Sequence, residues 1–211
     1  GTGPFQLKSF RADSVIRYVK NPHWWLKDER PRADQLVFAI TPDGSVRAQR
    51  LKRDECDIAA PVGPAELDDL QKDPAIRLAT APGMNVGILA YNTRRPALGK
   101  LEVRQALDMA IDRQALFKVL FPRGDAQQAV SAFPPSVPGF NSRLRNEYNP
   151  QRARQLLESV GLGQGFDIDL WALPMARPTN PNGLLMAQMI QQDWARIGVR
   201  SRIVSYEWGE Y

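Results

Sequence analysis

One arginine in this chain lies where it could bind an anion. Arg177 is in the loop 173–180, between a predicted strand and a predicted helix, and it is flanked by Pro174 and Pro178. Open α/β sheets bind ligands beyond the carboxyl ends of their strands, and helix N-termini favour anions. A guanidinium in this position can bind a carboxylate through two parallel hydrogen bonds. The alternative is an exposed arginine in a polar loop.

The sequence offers little for covalent chemistry. His23 is the only histidine and stands beside Trp24 and Trp25, and Cys56 is the only cysteine. A catalytic triad or a Cys–His pair would have to use His23, but a histidine beside two tryptophans is more often a packed or surface residue. One histidine and one cysteine cannot form a zinc site. We therefore expect no catalytic residue, no metal and no cofactor.

Two aspartates could form an acid pair. Asp167 and Asp169 are two residues apart on a predicted strand, so their side chains share one face. Phe166, Ile168 and Leu170 alternate with them and would occupy the core side. That pattern favours solvated aspartates over a catalytic pair.

Composition excludes several classes of partner. The 211 residues are 43% hydrophobic and carry a net charge of +5, which invites a nucleic-acid hypothesis. The basic residues are interleaved with acids, and no stripe of basic and aromatic residues accompanies them, so we expect a solvated mixed-charge surface and no nucleic-acid partner. No apolar run approaches the ~18–20 residues of a membrane span, so we expect no membrane insertion.

Periodicity predicts an α/β chain whose first part is rich in strands and whose second part has longer helices. The predicted strands cover residues 5–10, 14–19, 36–40, 57–59, 76–79, 86–91, 166–172 and 199–204, and the first two are expected to form an antiparallel hairpin. The predicted helices cover residues 45–52, 64–70, 102–112, 113–120, 150–160 and 181–197. The expected N-caps of the last three are Asp112, Asn149 and Asn180. The apolar stripe predicted to face the core comprises Val103, Ala106, Leu107, Ala110 and Ile111. The order from Phe166 to Val204 is β-α-β, which predicts a parallel strand pair with a right-handed crossover.

Several phrases of this sequence resemble one known family. They are Gly1–Phe5 (GTGPF), 36–43 (LVFAITPD), 91–93 (YNT) leading into 103–113 (VRQALDMAIDR), 170–181 (LWALPMARPTNP) and 206–211 (YEWGEY). Together they resemble the extracytoplasmic solute-binding proteins of peptide-type ABC importers, family 5, and are closest to the dipeptide-binding branch.

The resemblance implies a fold and a function. It predicts a fragment of a two-lobed, class II periplasmic-binding-protein-like fold with mixed sheets flanked by helices. Residues 1–85 would belong to the larger lobe and 86–211 to most of the second, and we expect the chain to be an interior piece. The implied function is capture of di- or oligopeptides between the lobes, in the periplasm, for delivery to an ABC permease. We expect the protein to be a monomer and not an enzyme.

The resemblance also assigns a site. In dipeptide binders the arginine of the 170–181 phrase meets the peptide's C-terminal carboxylate, so Arg177, with Met175 and Thr179 of the same loop, is the expected ligand-binding set. An aromatic residue commonly stands where this chain has Thr179. The acidic residue that binds the peptide's amino group would lie beyond Tyr211.

Other interpretations stay open. Haem, nickel complexes and cationic antimicrobial peptides are alternative ligands, because related scaffolds bind all of them. A hydrolase with its active site in missing sequence is the alternative from another class. Cys56 is either a small half-buried thiol or, as the resemblance implies, one half of a disulfide whose partner lies outside this sequence.

Overall fold

The computed structural model describes residues 2–60, 62–81, 83–124 and 126–211, without the side chains of Lys27 and Pro64. Gly1 of the opening phrase lies outside this range. The chain divides into two compact units, Gly1–Thr80 and Ala81–Tyr211. None of the helices described there has the length and apolar character that a membrane span requires.

The first unit contains an antiparallel sheet of three strands in sequence order, which are β1 (Phe5–Arg11), β2 (Val15–Lys20) and β3 (Gln35–Ala39). The buried Asn21 follows β2, and its side chain donates to the Gly3 carbonyl oxygen and accepts from Gln6 and from the backbone N–H of His23. The predicted hairpin is therefore confirmed, and His23 contributes only its backbone to this network.

The described part of the first unit also contains two α-helices, α1 (Gly44–Lys52) and α2 (Pro64–Gln71), and a short 3-10 helix (Lys27–Glu29). The Asp43 carboxylate accepts the Val46 N–H at 2.9 Å and caps α1, as an N-cap residue does. The strands predicted at 57–59 and 76–79 are wrong, because neither segment pairs with a neighbour. Ile58 is 83% exposed, so the first of them also buries no apolar face.

The second unit is built mainly from helices: α3 (Pro96–Gly99), α4 (Leu101–Met109), α5 (Arg113–Leu120), α6 (Pro150–Ser159) and α7 (Gly183–Ala195). The predicted apolar stripe is confirmed, since Val103, Ala106, Leu107, Ala110 and Ile111 are all buried in the core.

Side-chain caps begin two of these helices at the predicted residues. Asp112 accepts the Ala115 N–H at 2.9 Å at the start of α5. Asn149 accepts the Arg152 N–H at 3.0 Å ahead of Pro150 in α6. Each cap satisfies a backbone donor that has no partner inside its helix.

The strand predicted at 86–91 is wrong. This segment forms no strand; a short turn and α3, a helix that was not predicted, follow it. A β-strand is stabilised by pairing, and the described residues provide no partner strand for this segment. Ile88 is consequently 75% exposed, whereas Tyr91 packs against the core.

The predicted β-α-β unit is confirmed. Strands β4 (Asp167–Trp171) and β5 (Arg200–Val204) pair in parallel, and α7 connects them. Helix α7 is held against the other helices by the buried Trp194, whose indole N–H donates to the Leu107 carbonyl oxygen at 3.0 Å. Asp193 adds a second link by accepting the Asp112 N–H at 2.9 Å.

Two glycines allow the chain to enter β4 and β5 side by side. Gly165 and Gly198 both have positive φ, +79° and +85°. A Cβ on Gly165 would lie 1.8 Å from the Gly198 carbonyl oxygen, so only glycine fits there. This close approach fixes the start of the parallel pair and hence the position of its carboxyl end.

Candidate functional site

The loop that carries Arg177 lies at the carboxyl end of β4 and leads into α7. Its tip is a tight turn, because the Arg177 N–H donates to the Asn180 carbonyl oxygen at 2.9 Å and the Asn180 N–H donates to the Arg177 carbonyl oxygen at 3.0 Å. The backbone of Arg177 is therefore fixed by two hydrogen bonds within the loop itself.

The Arg177 side chain is half-buried and stacks on an aromatic ring. Its guanidinium carbon lies 4.0 Å from the centroid of the Trp208 ring, which is cation–π geometry. Within the described part of the chain, no carboxylate pairs with this guanidinium. Its charge is thus uncompensated by the residues around it.

Trp208 belongs to an aromatic cluster, which comprises Trp171, Tyr206, Trp208 and Tyr211. The Trp171 ring centroid lies 5.3 Å from that of Tyr206 and 6.0 Å from that of Tyr211, and Tyr211 stacks on Trp208 at 5.9 Å with 11° between the planes. All four rings are 41–52% exposed. An exposed aromatic surface therefore adjoins the arginine.

The other two predicted site residues have different surroundings. Met175 is 43% exposed and lines a depression of about 270 Å³ beside Gly183 at the start of α7. Thr179 is half-buried and packs against the backbone of Gly87, where an added Cβ would lie 3.0 Å from the Thr179 carbonyl oxygen. Of the three predicted residues, Arg177 is the one whose side chain stacks on a ring of the aromatic cluster.

Helix α7 begins two residues later than predicted. Asn182, rather than Asn180, is its N-cap and accepts the Leu185 N–H at 3.0 Å. Asn180 instead forms the tight turn with Arg177, and its buried side-chain oxygen has no hydrogen-bond partner among the described residues. The sequence has an asparagine on each side of Pro181, and the tight turn decides between them.

A larger groove, of about 980 Å³, runs between the segment 88–92 and the two parallel strands. Its charged strand residues are paired across the sheet: Asp167 with Arg200 at 2.8 Å and Asp169 with Arg202 at 2.9 Å. The hydrogen bond from Arg200 lowers the pKa of Asp167, opposite to what a general acid requires. The solvated interpretation of these aspartates is supported, and Arg177 is the better candidate for binding an anion.

The sequence shows Trp208 only as part of the phrase 206–211 and does not connect it with Arg177. The predicted parallel pairing of β4 with β5 contained the information needed to connect them, because it places the end of β4 at Trp171 opposite the end of β5 at Val204. The segments that follow two paired parallel strands must leave the sheet at the same edge. Applying this rule to both strands would have brought Trp208 near the loop of Arg177.

Comparisons with known proteins agree with this architecture. The sequence model of the bacterial extracellular solute-binding proteins, family 5 Middle, matches residues 1–211. Di/tripeptide-binding protein 1 of Pseudomonas aeruginosa (strain UCBPP-PA14) is 46% identical over 100% of this chain and 39% of its own length. Heme-binding protein A of Haemophilus influenzae is 36% identical over 100% of this chain and 38% of its own.

A solved structure gives the same result. The dipeptide binding protein from Pseudoalteromonas sp. SM9913 in complex with Met-Leu superposes with a TM-score of 0.82 at 36% identity, covering 100% of this chain and 41% of that one. The chain thus spans about two fifths of the relatives it matches, and the expected fragment of a two-lobed periplasmic-binding-protein fold is confirmed. Members of this family are solute-binding proteins rather than enzymes. The chain belongs to the bacterial extracellular solute-binding proteins of family 5.

Proposed function

We propose that the protein containing this chain is the substrate-binding component of an ABC importer that captures di- or oligopeptides in the periplasm and delivers them to a membrane permease. Arg177 binds the C-terminal carboxylate of the peptide, and Met175 and Thr179 of the same loop line the site. No covalent chemistry takes place. Relatives named as di/tripeptide-binding and dipeptide binding proteins support this ligand class.

One observation carries the proposal: Arg177 is half-buried against Trp208, and no carboxylate among the described side chains is paired with it. Arginine is among the residues that are least often buried without a charged partner, and Arg177 is partly buried. A ligand carboxylate can supply the missing charge through two parallel N–H···O bonds.

The position of the loop adds an electrostatic contribution. The N-terminus of α7 directly follows it, and the positive end of a helix dipole favours a nearby anion. Closure of two lobes around a ligand would exclude water from this ion pair and strengthen it. The closed state would then be favoured because the ligand binds it more tightly than the open state.

The test is the affinity of the complete protein for Met-Leu, measured by isothermal titration calorimetry. Arg177→Ala should weaken binding by about 2–5 kcal/mol, as removal of one partner of a desolvated charge pair does. Arg177→Lys should recover part of the loss, because lysine keeps the charge but not the bidentate geometry.

The matched control is Arg143→Ala. Arg143 is an exposed arginine of the same unit, so replacing it should leave the affinity for Met-Leu unchanged. Equal affinities of the wild-type and Arg177→Ala proteins would contradict the carboxylate role. Recovery of a haem or a nickel complex, rather than peptides, from the purified protein by mass spectrometry would contradict the ligand class.

A further inference from the structure

We propose that Trp208 is a positioning residue that holds the Arg177 guanidinium ready for the ligand carboxylate. The indole supports the flat face of the guanidinium and leaves its N–H edge free. This inference rests on the proposed function of Arg177, and it adds the residue that presets the geometry of that contact. The 4.0 Å distance between the guanidinium carbon and the Trp208 ring centroid carries it.

The two halves of the stack are anchored independently. Arg177 is fixed by its two backbone hydrogen bonds to Asn180. Trp208 lies in a turn closed by the Glu210 and Tyr211 N–H groups, which donate to the Glu207 carbonyl oxygen at 3.0 and 2.9 Å. Because both backbones are held by local bonds, the ring and the guanidinium meet without needing a bound ligand.

Stacking suits this task better than a salt bridge would. A guanidinium has five N–H donors in its plane, and a ring against its face uses none of them. An acidic partner would occupy the same donors that a ligand carboxylate needs. Glu207 directly precedes Trp208 and Glu210 follows it by two residues, yet in the described ranges neither forms an ion pair with Arg177.

Preorganisation predicts a specific pattern of affinities. A free arginine side chain loses rotamer freedom when it binds, and a side chain already held in place loses less. The benefit of Trp208 should therefore appear only with ligands that use Arg177. A peptide whose carboxylate is replaced by an amide cannot form the charge pair and should not depend on the indole.

The experiment uses the complete protein with two probes, Met-Leu and Met-Leu amide, measured by calorimetry. Trp208→Leu keeps an apolar side chain but removes the aromatic face, and it should weaken binding of the free acid by about three- to thirty-fold. Affinity for the amide should change by less than about twofold. Trp208→Phe should restore part of the affinity for the free acid, because phenylalanine keeps an aromatic face. In a protein that already carries Arg177→Ala, Trp208→Leu should not weaken binding of the free acid any further.

Trp171→Ala is the matched control, since Trp171 belongs to the same aromatic cluster but Arg177 stacks on Trp208 instead. It should not alter the ratio of acid to amide affinity. Thermal melts of each variant should show that the fold is retained. If both Trp208 variants lose their cooperative unfolding transition, Trp208 is a structural residue and the inference is overturned.

The outcomes separate this inference from the proposed function. If the wild-type protein binds the acid and the amide equally well, Arg177 does not bind the carboxylate and the proposed function fails. If the wild type prefers the acid and Trp208→Leu retains the full preference, or weakens both probes equally, only the positioning role of Trp208 is overturned.

Discussion

The contact between Trp194 and Leu107 should be a main source of stability in the second unit. Trp194 is 1% exposed, and its indole N–H donates to the Leu107 carbonyl oxygen at 3.0 Å in the core. Trp194→Phe removes the donor, and leaving a buried acceptor without this partner costs about 1–3 kcal/mol. The smaller ring also leaves a partial cavity, which adds about 1 kcal/mol. We expect a total loss of about 2–4 kcal/mol.

Urea denaturation of the complete protein, followed by circular dichroism, measures this loss. Trp25→Phe in the first unit is the control. Trp25 is 70% exposed, so this substitution should change the free energy of unfolding of the protein by less than about 0.5 kcal/mol. A loss below about 1 kcal/mol for Trp194→Phe would refute the reasoning, because the indole hydrogen bond and its packing would then contribute no more than a surface contact.

Two further predictions concern local structure. Gly165→Ala should lower the free energy of unfolding, measured by urea denaturation, by at least about 3 kcal/mol, because the new Cβ clashes with the Gly198 backbone and the positive φ is strained. Gly161→Ala is the control: Gly161 also has a positive φ but open space around it, so the loss should be about 1–2 kcal/mol. Equal losses would show that the close approach is absent. The hydrogen bond from Arg200 lowers the pKa of Asp167 below its usual 3.8. The Asp167–Arg200 pair therefore stabilises the folded state above pH 3.8, and this stabilisation is lost as the pH falls through the lowered pKa. NMR titration should find the Asp167 midpoint below 3.8 and return it towards 3.8 in Arg200→Ala; an identical midpoint in both proteins would show that the pair does not form in solution.

Local signals predicted the helices of this chain well. The Asp112 and Asn149 caps and the apolar stripe of α4 each depend on residues only a few positions apart, so the sequence is sufficient to predict them. The parallel pairing of β4 and β5 was also predictable, because a strand–helix–strand order allows few arrangements.

Most of the failures involve partners distant in sequence; the start of α7, set by a local turn, is the exception. The segment 86–91 has the apolar character of a strand, but a strand requires a neighbour, and residue types do not reveal whether one is present. The start of α7 depended on which of two asparagines the Arg177 turn would use. The stack of Arg177 on Trp208 joins residues that only the meeting of two strand ends brings together.

The central claim is that Arg177 receives a peptide carboxylate. The most direct measurement is a crystal structure of the complete protein with Met-Leu bound. We predict two N–H···O contacts of about 2.7–2.9 Å between the Arg177 guanidinium and the C-terminal carboxylate of the peptide. A bound peptide whose carboxylate contacts other residues, with Arg177 facing solvent, would contradict the account.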